Sequence, residues 1–315
     1  PITETYAWFL SRWAKLLSWS DTARMFNTSW ASVFTAVQMA VKWGRQHIEL
    51  NDVTAIGIDE IAWQKRHHYL TVVYQIDECA RRLLWVGEHR KAKTLLRFFR
   101  WFGKERTEQL KYVASDMWKG YIKVIAYKAK NAIHVLDRFH IVAMMNKAID
   151  EIRAKDAKIL HEEDREPVLK NSRWIFLKRS SKLTVWQNAK LADLLRYNLK
   201  SIRAYLLKED FQQFWQYVRP GWAEKFLDDW CRKTMLSKIE PMKKVAKSLR
   251  KHKSLILNWF RAKGEISQAA VEGMNNKSKL TIRKAYGFRS FKAAEIALFH
   301  TLGKLPEPKF THTFW

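Results

Sequence analysis

Three acidic residues stand in frames that suit metal-dependent phosphoryl chemistry: Asp59 in AIGIDE, Asp116 in YVASDMW and Glu272 in AAVEGMNNK. The first two each close an apolar run that reads as a buried strand, and Glu272 lies in a helical pattern. Carboxylates on two strand ends and a helix could hold two Mg2+ ions, with Mn2+ as an alternative. Two such ions are what in-line attack on a phosphodiester needs. A lone strand-end Asp ordinarily caps the turn after it, but the surroundings here argue for more. Between residues 241 and 292, fourteen Lys and Arg accompany two acids, Glu265 and Glu272. A merely solvated helix face mixes signs, so an acid inside that field reads as a metal ligand. Asn275 and Asn276 fall on the same helical face as Glu272, where neutral amides could orient a ligand water or a phosphate. Lys277, Lys279, Arg283 and Lys284 follow as DNA-backbone contacts.

The neighbours of these acids are informative too. Gly57, two residues before Asp59, permits close backbone approach. Glu60 should point to the opposite face from Asp59 and reads as a supporting residue. In LDRFH, Asp137 and Arg138 read as a turn motif, and His140 is either part of that motif or an accessory acid, base or DNA contact. No Walker A loop, GxGxxG, GxSxG or HExxH pattern is present, and adjacent His67 and His68 make a poor metal pair.

Positioning such residues requires a sheet with helices. VTAIGID, YLTVVYQID and RLLWVGE read as three strands joined by polar connections. Leu95, Phe98, Phe99 and Phe102 share one face of a following helix. LKYVASD, a helix over 118–129 and AIHVLD complete the order β-β-β-α-β-α-β. That order predicts an α/β mixed sheet with helices on both faces, its first and fourth strands adjacent and their terminal Asp59 and Asp116 together. Residues 1–46 read as helices: Ser20 and Ser29 are candidate caps, Asn27 suits a tight turn, and Val33, Phe34, Val37 and Val41 line one helix. The spacing fits either a helix-turn-helix or simple packing. On the DNA-binding reading, Ser29, Ser32, Thr35 and Gln38 are its polar candidates. Residues 141–265 read as an all-helical insertion, and 266–315 as the helix of Glu272 with a helical tail. This gives four parts: 1–46, 47–140, 141–265 and 266–315.

Composition sets the partner class. The 315 residues carry a net charge of +27, and 47% are apolar, ample for a core. Such a balance favours a polyanion, first of all duplex DNA, over the competing reading of a membrane-surface protein. No apolar run reaches about 18 residues, so no membrane span is expected. Cys79 and Cys231 are isolated, which gives neither a disulfide framework nor a zinc motif and suits a reducing, cytoplasmic compartment. PITETYAWFL has no signal-peptide layout and no initiator Met, so a fragment of a longer protein is expected. The sixteen Trp read mainly as packing residues, with one or two available for base stacking.

Taken together, GIDEIAWQKRHHYLTVVYQID, LLWVGEHR, ASDMWKGY, HVLDRFHIV and VEGMNNKSKLTIRKAYGFRSF resemble the ISL-three family of bacterial insertion-sequence transposases. The resemblance spans about residues 20–300. It implies an RNase H-like domain whose Asp-Asp-Glu triad falls on Asp59, Asp116 and Glu272, with Asp137 and His140 as an Asp-x-x-His element. It also implies a helix-turn-helix at about 18–44, a helical insertion before Glu272, and a homodimer when two DNA ends are synapsed. The Cys-rich zinc-binding segment usual before the helix-turn-helix is not in this sequence, and GEISQAA departs from the usual approach to the Glu. The expected activity is cutting at element ends and joining the 3′-OH to target DNA, near the nucleoid. A DNA-binding regulator without catalysis and an RNase H-like nuclease are the rival readings.

Overall fold

The chain opens with three helices: α1 (Glu4–Leu16), α2 (Trp19–Met25) and α3 (Trp30–His47). The computed structural model describes residues 2–309 except 65–67, 79, 263–264, 267 and 286; His67 and Cys79 therefore lie outside the described residues. Ser18, not Ser20, caps α2 by accepting from the Asp21 backbone N–H, two residues earlier than the spacing suggested. Asn27 takes the left-handed turn conformation at φ 47°, which its short polar side chain tolerates. Ser29 then caps α3 through the Ser32 N–H.

Five strands follow in one sheet of order β3-β2-β1-β4-β5: β1 (Ala55–Gln64), β2 (His68–Ile76), β3 (Arg81–Glu88), β4 (Tyr112–Ser115) and β5 (Ile133–Leu136). Between β3 and β4 run α4 (Ala92–Phe102) and α5 (Lys104–Glu108), and α6 (Lys119–Lys128) joins β4 to β5. The β1–β2 and β2–β3 pairs are antiparallel, and Ala55–Ile58 of β1 pair in parallel with Tyr112–Ser115 of β4. Asp59 therefore does not end its strand. It marks the point where parallel pairing stops, while β1 runs on to Gln64 against β2, with Ile61 and Trp63 buried and Ala62 exposed between them.

The rest of the chain is helical among the described residues. It comprises α7 (Arg138–Glu162), α8 (Arg173–Leu177), α9 (Val185–Leu194), α10 (Lys200–Phe211), α11 (Pro220–Leu236), α12 (Glu240–Lys251) and α13 (Lys253–Arg261), then α14 (Gln268–Lys284) and α15 (Phe291–Leu302). Two compact units result: residues 1–134 with 264–315, and residues 135–263. In the second unit Phe211, Phe214 and Trp230 are buried, and the buried Lys208 ammonium donates to the Phe176 and Lys178 carbonyls. The cation-rich stretch 241–292 is one block in sequence but belongs to both units. The Trp residues divide as well: Trp8, Trp63 and Trp230 are core, whereas Trp174, Trp186 and Trp222 are exposed.

In the first unit each face of the sheet has its own core. Ile56, Ile58, Val73, Leu84 and Val113 meet Leu95, Phe98, Phe99 and Phe102 of α4 and Tyr121 and Ile125 of α6. On the other face, Ile61, Val72, Tyr74 and Ala114 share a cluster with Val33, Val37 and Val41 of α3, Val271 and Met274 of α14, and Ala294 and Leu298 of α15. The N-terminal helices are thus not a detachable head. Burying each such Val contributes about 1.5–3 kcal/mol, and removing 1–46 would strip one wall of the sheet's core.

Candidate active site

The face carrying Asp59 is built around a missing side chain. A Cβ on Gly57 would sit 2.4 Å from Val271 Cγ2, so only Gly lets α14 lie this close to β1. The contact sets the helix register. Val271, Asn275, Ser278 and Ile282 recur at helical spacing on the buried face. Asn275, one turn past Val271, donates its amide to Asp59 Oδ2. Its oxygen accepts from the buried Tyr74 hydroxyl at 2.9 Å, and that hydroxyl also meets Ser278 Oγ at 2.9 Å. Burial holds the Tyr74 phenol protonated far above its ordinary range, so it serves as a fixed donor. Asp59 Oδ1 accepts from the Glu60 N–H at 2.7 Å.

Asp116 is the first residue past β4 and lies one residue beyond the Ile58–Ser115 pair, as Asp59 does on β1, so both directly follow paired positions of neighbouring strands. Its Oδ1 accepts from the Trp118 N–H at 3.0 Å, and its Oδ2 from Arg90 Nη2 at 2.8 Å. Arg90 Nε also touches Glu60 Oε1 at 2.5 Å, an ion contact without a hydrogen-bonding angle. The Arg90 guanidinium lies 5.2 Å over the Trp118 ring. That ring packs over Gly120, where a Cβ would collide with it at 2.4 Å. Behind Asp116, the Ser115 hydroxyl donates to the Asp116 carbonyl at 2.9 Å and meets His134 Nε2 at 2.8 Å. Burial lowers His134 to about 4, so the ring is neutral at pH 7 and can donate to Ser115.

Glu60 does point away from Asp59, as alternation demands, but it is no bystander. Burial, then the charge of Asp116, raise its carboxyl to about 7 against the pull of Arg90. Between pH 4.5 and 7 the folded protein therefore keeps a proton that the unfolded chain has lost, so this contribution to stability is lost as pH rises through 7. Glu60→Gln, neutral throughout, is expected to be more stable than the parent at pH 8 in EDTA by about 1–2 kcal/mol, after allowance for partial exposure. The difference should vanish towards pH 4.5. Urea unfolding across this pH range checks it, and a variant less stable at pH 8 would refute it.

The other sequence candidates fall out differently. Glu272 is exposed on the flank of α14 that also presents Asn276, Lys279 and Arg283, and no ion pair involves it among the described residues. Asn275 is 6% exposed and committed to Asp59 and Tyr74, so it is a buried strut and not a DNA contact. Lys277 and Lys284 are exposed with the rest of that surface. Ser29 and Ser32 bond to each other at the start of α3, Thr35 is exposed and Gln38 is half-buried. Asp137 caps α7 by accepting from the Phe139 N–H, the structural role expected for LDRFH, and exposed His140 lies 3.8 Å from Asp137 Oδ2. Sequence reasoning missed Arg90 and Trp118. The available signals were a cation just past a strand and the spacing of Trp118 and Gly120 after Asp116.

Among the described residues, no three His, Cys, Asp or Glu side chains gather into a cluster that could enclose an ion. The donors present still suit a hard divalent cation. Asp59 on β1 and Asp116 just past β4 offer carboxylate oxygens, Mg2+ needs only one or two such ligands because it keeps several waters, and a guanidinium already occupies the place of a cation beside Asp116.

Comparison with known proteins gives the family. A family model described as transposase, of the DDE ISL-three type, matches residues 56–298. The transposase for insertion sequence element IS1001 of Bordetella parapertussis is 30% identical over 269 residues, covering 85% of this chain and 65% of that protein. The transposase for insertion sequence element IS1557 of Mycobacterium tuberculosis is 28% identical over 313 residues, covering 92% of this chain and 68% of that protein. The chain thus spans just under two thirds of the length of the Bordetella relative. DDE transposases generally use divalent metal ions, and a mixed five-stranded sheet flanked by helices is consistent with their RNase H-like domain. The match covers most of the chain, including all five strands, both aspartates and α14: this protein belongs to the ISL-three family of DDE insertion-sequence transposases.

Proposed function

We propose that this chain forms the catalytic part of a transposase that cuts DNA at insertion-sequence ends and joins the freed 3′-OH to target DNA. The observation that carries the proposal is that Asp59 and Asp116 each directly follow the last parallel pair of β1 and β4, Ile58–Ser115, with α14 locked onto β1 beside Asp59. Asp59 and Asp116 would hold divalent ions, and Glu272 would complete the site from α14. Such ions, when bound, activate the attacking oxygen and stabilise the leaving one. The chain's own residues supply the rest. The Asn275 and Tyr74 bonds fix the Asp59 carboxylate, and the Trp118 N–H fixes Asp116. Lys277, Lys279, Arg283 and Lys284 line the exposed side of α14, where cations would hold a DNA backbone without reading its sequence.

The α2–turn–α3 segment is the proposed base-reading element, with Thr35 and Gln38 the best-placed polar side chains. A homodimer would bring two ends together. No helix among the described residues is long and apolar enough to cross a membrane, and the net charge of +27 suits a DNA partner.

Incubation with end-containing DNA and Mg2+, scored for joined products, tests the proposal. Cleavage without joining would make the protein a nuclease, and binding without either would make it a regulator. Affinity for arbitrary duplex DNA is expected to fall steeply with salt, each phosphate contact adding about −0.9 to the slope of log K against log salt. A fluorescence-anisotropy series over salt reads this directly, and a flat series would remove DNA from the account.

A further inference from the structure

The acids beside Asp59 are held by a closed ring of contacts from three separate segments. Asp116 caps Trp118, Gly120 makes room for the Trp118 ring, that ring seats Arg90, and Arg90 returns to Asp116 while touching Glu60. Arg90 is aimed there by the end of β3. His89 takes a left-handed conformation at φ 70°, its N–H donates to the Tyr69 carbonyl, and its own carbonyl accepts from Thr71 Oγ1 at 2.9 Å. A turn this constrained places the next residue with little freedom. Two acids share one cation: Arg90 pairs with both Glu60 and Asp116, and the charges of Asp116 and Asp59 each act on Glu60. Glu60 and Asp116 are nearly buried, whereas the Arg90 side chain is 39% exposed, so it alone has a path to solvent.

We infer that Arg90 is a positioning residue that substitutes for a cation at Asp116 in the metal-free protein and releases that carboxylate when a divalent ion is taken up. This rests on the reading of Asp59 and Asp116 as metal-holding residues. The release is graded, because Glu60 and the Trp118 face still hold the guanidinium after Asp116 is freed. Two expectations follow. Without Arg90 the acids repel one another and the metal-free fold weakens. A divalent ion then meets no competitor at Asp116 and binds more tightly.

The test is Mn2+ binding, read by electron paramagnetic resonance, together with thermal unfolding in EDTA and in Mn2+, all without DNA. Arg90→Gln is expected to bind Mn2+ about tenfold tighter than the parent, a like-charge competitor having been removed. It should also have a lower Tm in EDTA and a larger Mn2+-induced rise. In an Asp116→Asn background the same substitution should bring no gain. Unchanged or weaker Mn2+ binding by Arg90→Gln, or an equal Tm loss with and without Mn2+, would mean Arg90 is only a structural strut and would overturn the inference. If Arg90→Gln does not fold, Arg90→Lys keeps the charge without the fork and should bind Mn2+ severalfold tighter; equal or weaker binding overturns the inference there too. Asp116→Asn alone separates the two levels: if it binds Mn2+ as well as the parent, the site assignment itself has failed.

Discussion

Asp116→Asn is expected to reduce Mg2+-dependent cleavage and joining by on the order of 10³-fold or more, since the several kcal/mol that a correctly held ion supplies translate to that factor. DNA affinity should be unchanged or slightly higher, because one negative charge that repels phosphate is gone. The substitution is nearly isosteric, and the Asn oxygen can still accept the Trp118 N–H at the Oδ1 position, so β4 and the start of α6 should survive. The Arg90 bond loses its charge partner, at a cost of about 1–2 kcal/mol. Glu60→Gln, which leaves Asp59 and Asp116 in place, should cost far less activity. Single-turnover assays on end-containing DNA, with circular dichroism to verify folding, measure the effect. Substantial Mg2+-dependent cleavage by folded Asp116→Asn would dismiss Asp116 from the chemistry.

Gly57→Ala is the second large effect, and it acts through a helix. The new methyl would lie 2.4 Å from Val271 Cγ2 and 3.3 Å from Ile76 Cγ2. The side chain it meets first is buried and branched, so α14 must move off β1. Overpacking of this kind costs about 1–3 kcal/mol, and the small entropic gain of replacing Gly in a strand offsets only part of it. Activity should fall further than stability, by about 10²-fold, because a shift of about an ångström in α14 misplaces both the Asn275 strut and Glu272. Val271→Ala in the same chain removes the colliding methyls and should restore much of both losses, with a coupling above about 1 kcal/mol in a double-mutant cycle. Additive losses would place the problem elsewhere.

Much of the scaffold was legible because it rests on local periodicity. The apolar runs of β1 to β3 and the spacing of Leu95, Phe98, Phe99 and Phe102 state their own geometry. The continuation of β1 past Asp59 was hidden: the consecutive carboxylates Asp59 and Glu60 after an apolar run look like a strand end, yet pairing with β2 keeps Ile61 and Trp63 in the sheet. Val33, Val37 and Val41 announced an apolar stripe but not what it covers, since that depends on residues far along the chain. Arg90 was invisible for the same reason. Its partners lie 26 to 30 residues away on either side, and nothing local separates it from the other Lys and Arg. Asn275 was noticed for the right amide and given the wrong neighbour, because helical spacing alone does not say which flank is buried.

The shared core of α3 and the sheet has a metric consequence. Val33, Val37 and Val41 lie in the same packed cluster as Ile61, Val72 and Tyr74, and Arg45 on α3 is tied to Glu295 on α15 at 2.9 Å. Packed interiors of this kind transmit displacement without bending. If α3 reads bases and Asp59 and Asp116 mark the point of cutting, as proposed, the fold would act as a ruler. The number of base pairs between a recognised sequence and the scissile phosphate would be a fixed length of protein, and an insertion sequence that gained or lost a base pair in that interval would present the wrong phosphate.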